Sequence, residues 1–122
     1  MANPFAWVEI PVDDMERARR FYEKVFEVTL QRMPGTEFEM WSFDSDQTSY
    51  GAGGALINMP GYSAGKLGAT AYFACEDCGV QLERAVAAGG RVHRPKTSIG
   101  PYGFLALVED IEGNIIGLYS MN

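Results

Sequence analysis

One carboxylate stands where carboxylates are rare. In "FAWVEIPV", residues 5–12, Glu9 lies among Val8, Ile10 and Pro11. An acidic side chain in an apolar extended run needs a partner or a task, because burying an unmatched charge is costly. Desolvation raises a carboxyl's pKa, and a raised carboxyl suits general acid or base work. Glu9 is therefore the candidate catalytic residue. It could equally meet a cationic ligand, with Trp7 and Tyr72 offering π faces. The plain structural alternative is a Glu paired with an Arg or with backbone amides.

The other reactive residue types offer less. Cys75 and Cys78 are spaced C-x-x-C, but one such pair cannot complete a four-ligand zinc site. A redox pair usually sits in the first turn of a helix, whereas Cys75 falls inside the strand-like "TAYFAC". Two small buried thiols is the reading, with a thiol redox module as its rival. His93, the sole histidine, lies in "RVHRP" and reads as a surface or hydrogen-bonded residue. With one His so placed, no Ser-His-Asp or Cys-His set can be assembled. "YGAGGAL" lacks the Lys-Ser/Thr of a phosphate loop and opens no helix. Glycine in a strand marks a bulge or a close backbone approach instead.

The elements that must carry these residues come twice. Phe5, Trp7, Glu9 and Pro11 alternate with Ala6, Val8, Ile10 and Val12, a strand signal. Asp13 or Asp14 then caps a helix whose Met15, Ala18, Tyr22, Val25 and Phe26 recur at helical spacing. Three extended pieces follow, "VTLQRM", "EFEMWSFD" and "GAGGALINM", with "SDQTS" as a polar loop. Downstream, Thr70, Tyr72 and Ala74 alternate with Ala69, Ala71, Phe73 and Cys75. Asp77 caps a helix holding Val80, Leu82, Ala85, Val86 and Ala88, stopped by Gly89-Gly90. "RVHRPKTS", "GFLALVE" and "GNIIGLYS" complete the second set.

The fold class is thus α+β: two β-α-β-β-β repeats forming cupped mixed sheets around a shared cavity, with the helices outside. Repeat one spans 4–60, a short linker 61–68 and repeat two 69–121, all within a single domain, 1–122. A cavity between repeats is a natural ligand site. Alternation puts Phe5, Trp7, Glu9, Thr70, Tyr72 and, near the end, Gly117 and Tyr119 on its lining.

A chain of 122 residues can bury a sizeable core without a staple. Its net charge of −6 argues against nucleic acid and against an anionic membrane surface, both held mainly by clustered Lys and Arg. Arg17, Arg19 and Arg20 alternate with Glu16 and Glu23 and read as a solvated helix face. No apolar run reaches membrane-span length, and "MANPFAWVEI" has no signal-peptide pattern, so the cytoplasm is the expected location.

Taken together, "EIPVDDMERARRFYEKVF", "AVAAGGRV" and "GPYGFLALVEDIEGNIIGLYS" resemble the vicinal oxygen chelate superfamily of glyoxalases, extradiol dioxygenases and bleomycin or fosfomycin resistance proteins. The ending Glu109-Asp110-Ile111-Glu112-Gly113-Asn114 is similar to the family's D-P-x-G-N turn, with Ile111 in place of proline. "RARRFYEKVF" is similar to A-x-x-F-Y-x-x-x-F/L-G, with Glu27 where the glycine is usual.

The resemblance implies a divalent ion held by a His near the start of each first strand and a Glu in each last strand. Those positions fall on Trp7, Thr70, Gly117 and either Gly54 or Ala55. None is a good ligand, so neither a metal site nor another cofactor is expected. The expected protein binds a small organic molecule, with Glu9 as the catalytic group of a lyase or isomerase. Phe5, Trp7, Thr70, Tyr72 and Tyr119 are the expected substrate-binding residues. The rivals are sequestration of a toxic compound without turnover, and a metal-dependent lyase or dioxygenase that recruits Glu9 and other atypical ligands. Exposed strand edges and the habit of the family lead to the expectation of a homodimer.

Overall fold

The two adjacent aspartates of the first repeat divide their work. Asp14 is the N-cap: its backbone is extended and its Oδ1 accepts from the Arg17 amide at 3.1 Å, filling one of the free donors of the first turn. Asp13 holds the loop beyond the last strand of the repeat instead. Its carbonyl accepts from Asn58 Nδ2 at 3.2 Å and its Oδ1 from the Ala64 amide at 3.3 Å. Tyr62 in that loop is buried, so part of the expected linker packs as structure. The computed structural model describes residues 3–46, 48, 51–65 and 68–122. Gln47, Ser49 and Tyr50 of the expected polar loop and glycine-rich stretch, and Lys66 and Leu67 of the linker, lie outside the described residues.

The first repeat runs β1 (Phe5–Pro11), α1 (Met15–Phe26), β2 (Gln31–Arg32), β3 (Glu39–Ser42) and β4 (Gly53–Asn58). Its strands order as β2-β3-β4-β1, with β1 parallel to β4 and the others antiparallel. Met15, Ala18 and Tyr22 of α1 pack on Ile10, Val12, Leu30, Trp41, Phe43 and Leu56. The Arg19 guanidinium lies 3.6 Å from the Trp41 ring centroid, pinning the helix to β3 through a cation–π contact. Glu16–Arg20 and Arg19–Glu23 pair at i,i+4, which explains the mixed-charge face. Val25 and Phe26 continue the helical spacing but are exposed. The packed stripe ends at Tyr22, against which Phe26 stacks from outside at 6.2 Å.

The second repeat runs β5 (Thr70–Ala74), α2 (Cys78–Ala87), β6 (Arg91–Ser98), β7 (Phe104–Glu109) and β8 (Ile115–Ser120), with a 3-10 turn over Gly100–Tyr102. Its order, β5-β8-β7-β6, repeats that of the first, and β5 is parallel to β8. Cys78, Ala106, Val108 and Leu118 form its core with Phe73, Cys75, Leu82, Ala85, Phe104 and Ile116. Val80 and Val86 are exposed, because only one side of α2 meets the sheet. Asp77 caps α2, accepting from the Gly79 amide at 2.9 Å, and also meets Lys96 Nζ at 2.8 Å. The start of β1 belongs to this second unit. The Pro4 carbonyl accepts from the Ala74 amide at 2.9 Å, and the remainder of the first repeat, Trp7–Ala69, forms the other compact unit.

β6 lies at an edge of its sheet and carries Arg91, His93, Arg94, Pro95, Lys96 and two register shifts. Charges, proline and bulges of this kind hinder edge-to-edge pairing. No helix among the described residues is long and apolar enough to cross a membrane.

The turn before β8 holds without proline. Asp110 Oδ1 accepts from the amides of Glu112 (2.8 Å) and Asn114 (2.9 Å), and Oδ2 accepts from Asn114 Nδ2 (3.1 Å). These bonds, led by the Asn114 amide, hold the Asp110 carboxyl below its ordinary value. The Lys96 hydrogen bond, followed by the Gly79 amide, does the same for Asp77. A depressed carboxyl stabilises the fold fully above the unfolded value, near pH 4, and the contribution fades as pH falls through the lower folded value. The double variant Asp77→Asn, Asp110→Asn should therefore show a flatter fall of Tm between about pH 4 and pH 2 than the native chain.

Glu27 ends α1 with φ 54° and ψ 48°, the left-handed region that disfavours a Cβ. The family's glycine position is thus filled by a residue under strain. Glu27→Gly should raise stability by about 0.5–1 kcal/mol, measured by urea unfolding with an unchanged m-value.

Candidate functional site

Each sheet has one face under its helix and one face turned away, and register decides which residues share the second. In the first repeat Trp7 pairs with Gly53, Glu9 with Ala55 and Pro11 with Ile57. Across β3, Ser42 pairs with Ala55 and Met40 with Ile57. Partners in register point the same way, so these residues form the face opposite the α1 contacts of Ile10, Val12, Leu56 and Trp41. Glu9 is only 2 % exposed, and its Oε2 accepts from the Trp7 indole Nε1 at 3.2 Å. The indole is held in turn. A Cβ at Gly53 would come within 3.1 Å of Trp7 Cζ3 and 2.8 Å of Ser45 Oγ. The ring and the Ser45 side chain thus occupy the space that Gly53 leaves open.

The second repeat places Thr70, Tyr72 and Ala74 with Gly117 and Tyr119 on the face away from α2. Thr70 and Tyr72 are buried. Tyr119 is anchored: its hydroxyl donates to the Tyr102 carbonyl at 2.5 Å and lies 3.0 Å from Met121 Sδ. Burial pushes this phenol above its ordinary pKa. Its one proton is committed to the 3-10 turn, which the sequence patterns did not reveal. Phe5 is 52 % exposed, with its ring centroid 4.9 Å from that of Phe73. Phe73 packs on the α2 side of its sheet, so Phe5 follows the second repeat's outer packing.

The thiols take no part in these faces. Cys78 is fully buried, and Cys75 donates to the Phe73 carbonyl at 3.6 Å. Burial, ahead of its other influences, pushes the Cys75 thiol up, which lowers its thiolate fraction and reactivity. Both are free thiols. His93 is exposed on β6. A groove of about 210 Å³ behind α2 is lined by Ala85, Ala88, Val108, Ile111 and Ile116. Its acidic residues are Glu109 and Asp110, and Asp110 is committed to the turn before β8.

Register settles the uncertain position of β4. Ala55 is the partner of Glu9, as Gly117 is the partner of Tyr72. A Cβ at Gly54 would run into the backbone carbonyl of Val8, its register partner. The four positions implied for metal ligands are therefore Trp7, Ala55, Thr70 and Gly117. An indole offers no lone pair, a neutral hydroxyl is a poor donor, and Ala and Gly have no donor side chain. No three His, Cys, Asp or Glu side chains among the described residues come together as a metal-binding group. These residues do not fit the family's ion.

A family model for the glyoxalase/bleomycin resistance protein/dioxygenase superfamily matches residues 5–118. The chain belongs to that superfamily. No curated protein matches it in sequence. Among solved structures, it is similar to a Streptomyces coelicolor methylmalonyl-CoA epimerase variant in complex with 2-nitronate-propionyl-CoA, at 15 % identity and TM-score 0.65, covering 98 % of this chain and 95 % of that one. The Mycobacterium tuberculosis methylmalonyl-CoA epimerase is similar at 15 % identity and TM-score 0.63, with 98 % and 88 % covered. A hypothetical protein from Bacillus halodurans gives 8 % identity and TM-score 0.68, with 100 % and 96 % covered. At such identities the likeness is one of fold.

Trp41 makes a similar bond two residues back along the chain, to Glu39 Oε2 at 3.1 Å, but that carboxylate is 40 % exposed. Water can replace a lost donor at Glu39 far better than at Glu9. Trp7→Phe should therefore cost about 1.5–3 kcal/mol through its missing hydrogen bond. The same missing bond in Trp41→Phe should cost under about 1 kcal/mol. Urea unfolding of each variant, with and without the matching Glu→Leu change, which removes the acceptor, isolates the two bond terms.

Proposed function

We propose that the protein binds a small organic molecule against the helix-free face of β1 and moves a proton on it with the Glu9 carboxyl, as a metal-independent lyase or isomerase. The observation that carries this reading is Glu9 itself. It is an acidic side chain withdrawn from water on a strand whose neighbours are apolar, with one oxygen steadied by the Trp7 indole. Fixed geometry and a low-dielectric setting are what a general base needs. The epimerase neighbours support proton-moving chemistry on this fold, while the residues at the metal positions argue for a site that works without chelation.

Small carbon acids in D₂O test this directly. Suitable probes are methylmalonyl-CoA and the hemithioacetal of methylglyoxal and glutathione. Proton NMR follows replacement of the carbon-bound proton by deuterium. The reading predicts enzyme-dependent exchange on at least one probe, unchanged by EDTA and slowed by roughly 100-fold or more in Glu9→Gln. Saturable binding without exchange would assign the protein to sequestration. Exchange that survives in Glu9→Gln would remove Glu9 from the mechanism.

A further inference from the structure

Tyr72 and Gly117 are register partners on the parallel strands β5 and β8. A Cβ built on Gly117 would clash with Tyr72 Cδ2 and stand 2.5 Å from Cγ and 2.6 Å from Cε2. Unbonded carbons normally keep about 3.5–4.0 Å apart, so the ring lies directly across the Gly117 Cα. Both residues are buried, which leaves the ring little room to lift. The left-handed region does not explain this glycine, since Gly117 is absent from the positive-φ residues. The close approach of the ring does.

We infer that Gly117 is a positioning residue for Tyr72, and that the Tyr72 ring fills the volume into which a metal-binding carboxylate at residue 117 would project. The exchange is sterically exclusive: a side chain at 117 and a flat ring at 72 cannot coexist in this packing. Trp7 and Gly53 show a milder form of the same arrangement in the first repeat, where a Cβ would stand 3.1 Å from Cζ3. Each repeat thus spends a glycine on the last strand to let an aromatic residue of the first strand lie down. The resulting surface favours a ligand that packs against aromatic rings over one held by a pair of oxygens on an ion. Only this last point rests on the function proposed above.

The test is a cycle of Gly117→Ala, Tyr72→Ala and the double variant, read as Tm, together with the Gly117 Hα shifts and nickel loading. Gly117→Ala alone should lower Tm by about 5–10 °C. In the Tyr72→Ala background the same change should cost little or should stabilise. In the native chain a ring flat on Gly117 shifts its Hα protons upfield; Tyr72→Phe keeps that shift and Tyr72→Leu abolishes it. This signal answers the question even if Gly117→Ala fails to fold. After dialysis against Ni²⁺, the native chain should retain no stoichiometric metal. Equal Tm losses with and without the ring, or Gly117 Hα shifts indifferent to Tyr72→Leu, would overturn the inference. So would about one Ni²⁺ per chain. If the coupling holds while no probe exchanges, the proposed function fails and this inference stands.

Discussion

In each repeat the first strand runs parallel to the last, and partners across that pair face the same way. This pairing sets Trp7 beside Gly53, Glu9 beside Ala55 and Tyr72 beside Gly117. A helix covers the opposite face of each sheet, so the remaining face receives every side chain that the pairing sends there. Small residues on the last strand leave room, and large or polar residues on the first strand use it. Shifting the first pair by one residue would turn Glu9 under α1, into the core of Val12, Met15, Leu30 and Leu56. The packing of the helices and the chemistry of the opposite faces are therefore one problem with one solution.

That solution treats the two repeats differently. Their strand order is the same and both helices start with an aspartate cap. On the helix-free faces they diverge. The first repeat carries a buried carboxylate with an indole donor. At the matching place the second has an aromatic ring lying on a glycine, and it spends its last tyrosine hydroxyl on holding a turn. The four positions at which the resemblance implies metal ligands, Trp7, Ala55, Thr70 and Gly117, carry an indole, a methyl, a hydroxyl and no side chain. The helix-side cores, the two caps and the Asp110 turn hold the fold from outside those positions.

Much of this was legible in the residues. Strict alternation fixed the faces of β1 and β5, because side-chain period in a strand is two. The aspartates marked both helix starts, and the departures at Glu27 and Ile111 pointed to places needing special support. What spacing could not show was side-chain direction. Alternation says that Tyr72 and Gly117 share a face; it does not say that the ring lies down, which depends on a rotamer and on a neighbour some 45 residues away. The same limit hid the Tyr119–Tyr102 bond, the separate duties of Asp13 and Asp14, and the turn of Phe5 toward Phe73. Helical periodicity also ran past the sheet it served, which is why Val25 and Phe26 look like core in the sequence and lie at the surface.

The central claim is that the Trp7 indole steadies a buried Glu9 carboxyl on the helix-free face of β1. The most direct measurement is the indole N–H signal in a proton–nitrogen correlation spectrum, assigned with Trp41→Phe. The account predicts a Trp7 N–H that resists exchange in D₂O longer than that of Trp41. It also predicts that this signal moves in Glu9→Gln. A Trp7 N–H that exchanges at once and ignores the Glu9→Gln change would contradict the account.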